Sequence, residues 1–310
     1  MPVIAMTGAT GFVGRRVLEQ LLPTSGSAKV RLLARLPERV PRPVRLHPGV
    51  SVIRGDLTDP GQLDALVRDA AVVIHAAAAI AGISPADFDR TNIVGTRYLL
   101  EAMRRSAPDA HLIHVSSLAA REPQLSWYAS SKRAAEELVL SRWKTCSIIR
   151  PPAVYGPEDP ALATFWTWLA RGWLIRLGPA HARFSLLHVD DLAALIVALS
   201  ASGPQTGPLE VAGPEPEHGW SWPALASTAS AVAGRRVRTV GIPAPLLRIA
   251  GRTSPLWARL INKPALLNPG KVRELHHPDW TCDKLSAPRG WRATITLERA
   301  LPELPGWSKR

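Results

Sequence analysis

The sequence is short of cysteine, of lysine and of long apolar runs, and each shortage narrows what the chain can be. Its two cysteines, Cys146 and Cys282, show no CxxC spacing. They cannot build a disulfide framework or a zinc site of the usual pattern, and they suit a reducing compartment. No continuously apolar run reaches the roughly 18–20 residues that a bilayer-spanning helix needs. The longest, Ala70 to Ile83, contains His75 and reads as a buried strand with the turn after it. The chain passes directly from Met1-Pro2 into Val3-Ile4-Ala5-Met6 without a basic stretch, so no secretory signal is read and a cytoplasmic protein is expected. Hydrophobic residues make up 46% and charged residues 20% of 310. That is ordinary globular composition, excludes disorder, and allows one large or two modest domains.

Only 7 of the 38 basic residues are lysine, yet the net charge is +13. Ten of those charges fall between Arg235 and Arg310, where 15 Lys and Arg face 5 Asp and Glu. Two readings stay open: codon bias toward arginine, or an anionic partner such as a phosphorylated substrate, an acyl carrier or a lipid surface. A nucleic-acid partner is not expected.

Short β-branched runs alternate with helical patterns through the first half, which predicts a parallel sheet. The strands are read as Val3–Met6, Val30–Ala34, Val50–Arg54, Ala71–His75, Ala110–Val115 and Thr145–Arg150. Helices are read over Gly11–Leu22, Gly61–Asp69, Phe88–Arg105 and Trp127–Trp143. The fold expected is α/β, a Rossmann-type doubly wound parallel sheet with a smaller C-terminal substrate-binding domain. Residues 1–157 and 184–212 would form the nucleotide-binding domain, the latter through a strand and helix near Arg183 to Ser200. Residues 158–183 and 213–310 would form the substrate-binding domain.

Thr7-Gly8-Ala9-Thr10-Gly11-Phe12-Val13-Gly14 follows the first strand and opens the first helix. In that context Gly8 permits a tight turn, Gly11 lets a pyrophosphate approach the backbone, and Gly14 lets helix and strand pack closely. The N–H groups of Thr10, Phe12 and Val13 lie where a helix N-terminus attracts an anion. The second strand ends at Arg35, with Arg39 one turn on. A 2′-phosphate calls for arginine there and a 2′-hydroxyl for an acid, so NADP(H) is expected over NAD(H). Arg35 as a plain surface residue is the competing reading. Asp56-Leu57, after the third strand, can receive the adenine amino group, or Asp56 can cap a helix before Pro60.

Tyr128 and Lys132 stand four residues apart near a helix start and so share a face. An ammonium beside a phenol lowers its pKa from about 10 toward useful acid–base behaviour. Ser116 and Ser117 end the preceding strand, at the edge of the sheet where such folds bind ligands. A hydroxyl there can hold a substrate oxygen while Tyr128 exchanges its proton.

Together these residues resemble the extended short-chain dehydrogenase/reductase family, also described as epimerase/dehydratase-like. The resemblance rests on residues 8–14, Asp56, His75-Ala76-Ala77-Ala78, Asn92 in Thr91–Thr96, Ser116-Ser117, Tyr128–Lys132, Arg150–Pro157 and His188–Leu192. It implies that Ser117 polarises the substrate oxygen, Tyr128 carries the proton, and Lys132 holds the nicotinamide ribose. It further implies that Pro151 and Val154 line the nicotinamide, that Ala76, Ala77 and Ala78 line the cofactor's other side, and that Asn92 organises the helix backbone. Relatives also pair as dimers through the helices at Phe88–Arg105 and Trp127–Trp143. Two departures matter. Leu118-Ala119 follow Ser117 where dehydratases of the family carry an Asp-Glu pair, and Phe184 stands where nucleotide-sugar epimerases carry a phosphate-binding arginine.

Tyr155, Trp166 and Phe184 sit where such relatives build the substrate pocket, and an aromatic lining there suits an apolar ketone or alcohol. Packing of a small domain's core explains these aromatics equally well. Ala244 to Leu267 mixes Leu246, Leu247, Ile249, Leu256, Trp257, Leu260 and Ile261 with Arg248, Arg252 and Arg259. It reads as a substrate-domain helix pair or as a membrane-surface segment. The function expected is an NADP(H)-dependent oxidoreductase that interconverts a carbonyl and a hydroxyl on a largely apolar small molecule. The competing functions are a nucleotide-sugar epimerase with tightly held NAD and a non-catalytic nucleotide sensor or scaffold.

Overall fold

A computed structural model describes residues 2–24, 26, 28–260, 267–283 and 290–307, without the side chains of 255–260. Seven strands form the main sheet: β1 (Val3–Thr7), β2 (Lys29–Ala34), β3 (Val50–Arg54), β4 (Ala70–His75), β5 (His111–Val115), β6 (Cys146–Arg150) and, after four shorter strands, β11 (Pro208–Glu210). All run parallel in the order β11-β6-β5-β4-β1-β2-β3. The order reverses beside β1, leaving a crevice at the carboxyl ends of β1 and β4 where open α/β sheets take their ligands. β1 and β5 are buried along their whole length, as expected of strands covered by helices on both faces.

One face is covered by α1 (Phe12–Thr24) and α8 (Val189–Ala201), which pack Val17, Leu18 and Leu21 with Leu192, Leu195 and Ile196 over β1 and β2. The helices after α2 (Arg42–Arg45), namely α3 (Pro60–Val67), α5 (Gly95–Ser106) and α6 (Trp127–Arg142), cover the other face. Between α3 and α5 lies α4 (Pro85–Asp89).

The single helix expected over Phe88–Arg105 is three pieces, because α4 and α5 are joined by a π-helical turn over Arg90–Val94. The wider turn rotates Asn92 inward, and such bulges concentrate at functional sites.

The rest of the chain surrounds a second core. Its elements are β7 (Ala153–Tyr155), α7 (Ala163–Ala170), β8 (Trp173–Arg176), β9 (Arg183–Phe184), β10 (Leu186–His188), β12 (Trp220–Ser221), α9 (Trp222–Ala233), β13 (Arg238–Gly241), α10 (Ala244–Leu260), α11 (Pro269–His276), β14 (Asp279–Trp280) and α12 (Leu297–Ala300). Trp166, Leu169, Leu174, Trp220, Leu225 and Leu301 fill that core. The strand near Arg183 divides: Arg183–Phe184 joins β12 and β14 in this second region, while Leu186–His188 pairs with β7 and leads into α8 against the main sheet. Asp191, in the first turn of α8, accepts the backbone N–H groups of Thr294 and Ile295 at 3.0 Å and ties the C-terminal segment to that helix.

Among the described residues no helix is long and apolar enough to cross a membrane. In the amphipathic segment, the side chains of Leu256, Trp257, Arg259 and Leu260, and all of Ile261, lie outside the described residues.

Candidate active site

The loop after β1 closes so tightly that only glycine fits it. Gly8 has φ +80°, and a Cβ there would stand 2.6 Å from the carbonyl carbon of Ala76 and the nitrogen of Ala77. A Cβ on Gly14 would stand 2.1 Å from the Gly8 carbonyl oxygen. Gly11 donates its N–H to that same oxygen at 3.0 Å, while its own open side faces solvent. Thr10, Phe12, Val13 and the half-buried Ala76, Ala77 and Ala78 border the crevice. A backbone cradle without side chains, ending at the unpaired N–H groups of a helix start, fits the pyrophosphate of a dinucleotide.

At the end of β2, Arg35 is 81% exposed in its side chain and lies 4.0 Å from Asp56. Arg39 is exposed as well. Asp56 accepts from Thr58 N (3.0 Å) and Thr58 Oγ1 (2.8 Å), and the helix cap after it is Asp59 rather than Asp56. Burial opposes the charge on Asp56, but the Thr58 hydrogen bonds and the Arg35 and Arg90 guanidinium groups hold it below the usual carboxylate range. Leu57 is turned into the core, its side chain filling the space a Cβ on Gly95 would need.

Under the crevice a chain of hydrogen bonds joins β1, β4 and the π-helical turn. His75 Nδ1 lies 2.7 Å from Thr7 Oγ1, and its Nε2 lies 2.9 Å from Thr96 Oγ1. Thr96 donates its own proton to the Asn92 carbonyl at 2.7 Å. It must therefore accept from His75, which places the imidazole proton on Nε2 and makes Nδ1 the acceptor of Thr7. Burial, with the charge of Lys132, holds His75 neutral and its pKa down to about 3. Asn92 grips Ala79 from both sides, accepting its N–H at 2.8 Å and donating to its carbonyl at 3.1 Å, and donates also to Ser131 Oγ at 2.8 Å. Ser131 in turn donates to the Tyr128 carbonyl at 2.9 Å. Asn92 thus fixes the first turns of α6 relative to the loop after β4.

Tyr128 and Lys132 both belong to those turns. Ser126 caps the helix, accepting from Ala129 N at 2.9 Å while donating to the buried Glu274 of α11. Lys132 is buried and donates to the Val115 carbonyl, at the end of β5, at 2.8 Å. One turn on, Glu136 is held by Arg150, with Nη2 to Oε2 at 2.6 Å and Nε to Oε1 at 2.9 Å. Burial lowers Lys132 to about 8, opposed by Glu136.

Ser117 follows β5 with its Oγ accepting from Ala119 N at 3.2 Å, and it hydrogen bonds to the Tyr128 phenol. The expected fall in the Tyr128 pKa does not occur. Burial pushes the phenol up to about 12, more than the Ser117 hydrogen bond lowers it, and the Glu274 charge adds to the rise. The ammonium that was to lower it is engaged with the Val115 carbonyl instead.

The remaining expected residues divide. Pro151 accepts from Leu118 N at 2.9 Å, which joins the Ser117 turn to the segment bearing Val154. The Ser116 hydroxyl is buried without a hydrogen-bond partner among the described residues. Trp166 does not line a pocket: it is 0% exposed, its ring packed between Tyr155 and Phe165 in the second core. Tyr155 is buried there against His188, and Phe184 packs against Trp222 at 4.9 Å. The sequence motifs contain Thr7, Thr96 and Ser131 without giving them a role, and Ser126 and Glu274 lie outside those motifs. A serine directly before a helix is a readable cap, but Glu274 comes from 148 residues beyond its partner and leaves no local signal.

Residues 4–212 match the model of the NAD dependent epimerase/dehydratase family. A ceramide reductase of Caulobacter vibrioides (strain NA1000 / CB15N) is 38% identical over 284 residues, covering 90% of this chain and 86% of that protein. The human 3 beta-hydroxysteroid dehydrogenase type 7 is 29% identical over 231 residues, 62% of this chain and 61% of that one. In fold, the chain resembles the NAD-bound UDP-glucuronic acid 4-epimerase of Bacillus cereus (TM-score 0.71, 20% identity, 99% of this chain and 98% of that one). It also resembles the UDP-glucose 4-epimerase of Thermus thermophilus in complex with NAD (TM-score 0.68, 22% identity, 98% and 97%). With its glycine cradle and its tyrosine and lysine on one helix, the chain belongs to the NAD dependent epimerase/dehydratase family and is an NAD(P)-dependent oxidoreductase of the short-chain dehydrogenase/reductase type.

Proposed function

We propose that the enzyme is an NADP(H)-dependent reductase that converts a carbonyl group of a ceramide-type lipid to a hydroxyl. The observation that carries this reading is the 38% identity to the ceramide reductase over 90% of the chain, together with Ser117, Tyr128 and Lys132 in one site. A bound reduced nicotinamide would supply the hydride. Ser117 orients the substrate oxygen by hydrogen bond, and the Tyr128 hydroxyl gives it the proton. A phenol held near 12 stays protonated at neutral pH, which favours a proton donor over a base and hence reduction over oxidation. Lys132 keeps its positive charge below about pH 8, near the place where charge develops on the oxygen.

Two features weigh against water elimination and sugar chemistry. Leu118 and Ala119, both buried in the turn after Ser117, offer no carboxylate to remove water. Phe184 packs against Trp222 with the rings tilted by 53° and presents no charge to a nucleotide-sugar phosphate.

Arg35, which lies 4.0 Å from Asp56, and the exposed Arg39, both at the end of β2, support NADP(H) over NAD(H). Titration by nicotinamide fluorescence should show NADPH bound tighter than NADH, and Arg35→Glu should erase at least a tenfold preference. In the same preparations NADPH consumption should follow an oxo-ceramide in mixed micelles and not UDP-glucose. Equal affinities, or turnover of UDP-glucose alone, overturn the proposal.

A further inference from the structure

We propose that the outer face of α10, together with the neighbouring edge of β13, docks the enzyme onto an anionic phospholipid bilayer. This goes beyond the reductase reading and does not depend on it. On α10, Leu247 and Gly251 are buried, with Val272 and Asn268 of α11 against Gly251. The next positions round the helix point the other way: Leu246 is 57% and Ile249 59% exposed. Spaced i, i+3, they form one apolar row. Arg248 and Arg252, spaced i, i+4 and both exposed, run alongside it. In β13, Arg238 lies over the exposed Trp173 of β8, 5.8 Å from the ring centroid, a pairing suited to the headgroup level of a bilayer.

Charge identifies the occupant. No Asp or Glu stands between Glu217 and Glu274, whereas nine Lys and Arg do. A protein partner's surface carries both signs, but an anionic leaflet presents one sign throughout and attracts such a segment. Leucine and isoleucine between the arginines would find nothing to contact on a phosphate backbone of nucleic acid, whereas they enter the acyl boundary of a membrane.

Position gives the surface a use. α10 rests on α11, and α11 touches the N-terminus of the catalytic helix. A Cβ on Gly270 would stand 2.8 Å from Ser126 Cβ, Arg273 donates to the Leu125 carbonyl at 2.7 Å, and Ser126 donates to Glu274. Tyr128 lies two residues beyond. A membrane bound at α10 is therefore linked through α11 to the N-terminus of the catalytic helix.

The test is flotation of the full chain with phosphatidylcholine vesicles, with and without 30% phosphatidylglycerol, at two salt concentrations. Binding should require phosphatidylglycerol and weaken with salt. Leu246→Ser/Ile249→Ser and Arg248→Glu/Arg252→Glu should each weaken it at least about tenfold, with NADPH affinity unchanged as the check on folding. Arg42→Glu/Arg45→Glu, the same charge change on α2, should leave vesicle binding within about threefold. The proposal is overturned by absence of vesicle binding, by equal loss in the α2 variant, or by insensitivity to both α10 pairs. It is equally overturned if DNA is bound tighter than vesicles, or if the α10 pairs instead abolish a dimer. Vesicle binding without lipid reduction would sink the ceramide reading alone, and lipid reduction in micelles without vesicle binding would sink this one alone.

Discussion

Around the main sheet, many buried polar side chains are joined into networks, whereas the C-terminal region is held by tryptophan and leucine and shows its charge at the surface. His75 links Thr7 and Thr96, Asn92 links Ala79 and Ser131, and Arg150 links Glu136 and Glu210. The second core instead gathers Trp166, Leu169, Leu174, Trp220 and Leu225. Satisfied buried networks fix atoms in one arrangement, because each misplaced partner leaves an unpaired group in a low-dielectric interior. That is what proton transfer to a substrate oxygen demands.

The comparison can be sharpened first at Tyr128. Tyr128→Phe removes the proton donor and leaves the hydrogen bonds of Asn92, Ser131 and Lys132 in place. Turnover should fall about 100-fold to 10,000-fold, with NADPH affinity changed less than about threefold by fluorescence titration. Comparable losses in both would mean that the phenol organises the cofactor site rather than the chemistry.

A change in the second core should have the opposite profile. Trp166→Ala empties a fully buried site and should cost about 3–5 kcal/mol in urea unfolding. Below the transition the cofactor affinity should hold, because Trp166 packs with Tyr155 and Phe165 in the second core and not in the glycine cradle.

The polar networks also predict a response to acid. Burial, the charge of Lys132 and, for His114, the nearby His75 keep both imidazoles well below their ordinary value of 6.5. The folded state therefore refuses protons that the unfolded chain accepts. Stability from these two groups is complete above about pH 6.5 and declines as pH falls below it, by roughly 1.4 kcal/mol per pH unit for each histidine. Urea unfolding at pH 7.0, 6.0 and 5.0 measures the slope, and His114→Asn should halve this contribution. A flat profile would show that both rings are charged in the folded protein.

What could be read in the sequence follows the same division. Glycines 8, 11 and 14 were legible because close backbone approach forbids a side chain at Gly8 and Gly14, and that prohibition is written in residue identity. Tyr128 and Lys132 were legible because helical spacing alone puts them on one face. The π-helical turn was not, since Arg90–Val94 continues the helical pattern and the extra backbone step depends on Asn92 finding Ala79. The direction of the Tyr128 shift was misread for a related reason. Spacing places an ammonium near a phenol, but burial and the Val115 carbonyl decide what that ammonium does. Trp166 shows the limit in the second region: an aromatic residue suits a pocket or a core equally well, and only the packing of Tyr155 and Phe165 around it distinguishes them.

The proposed reduction of a lipid carbonyl takes its hydride from NADPH and its proton from Tyr128. Incubating the enzyme with 4,4-dideuterated NADPH and an oxo-ceramide in micelles, followed by mass spectrometry of the lipid, follows both transfers. One deuterium should appear on the carbon that becomes the carbinol, in step with NADPH consumed, and Tyr128→Phe should leave no more than about one-hundredth of that label over the same time. An unlabelled lipid, with nucleotide sugar epimerised by cofactor that stays bound, would contradict this reduction.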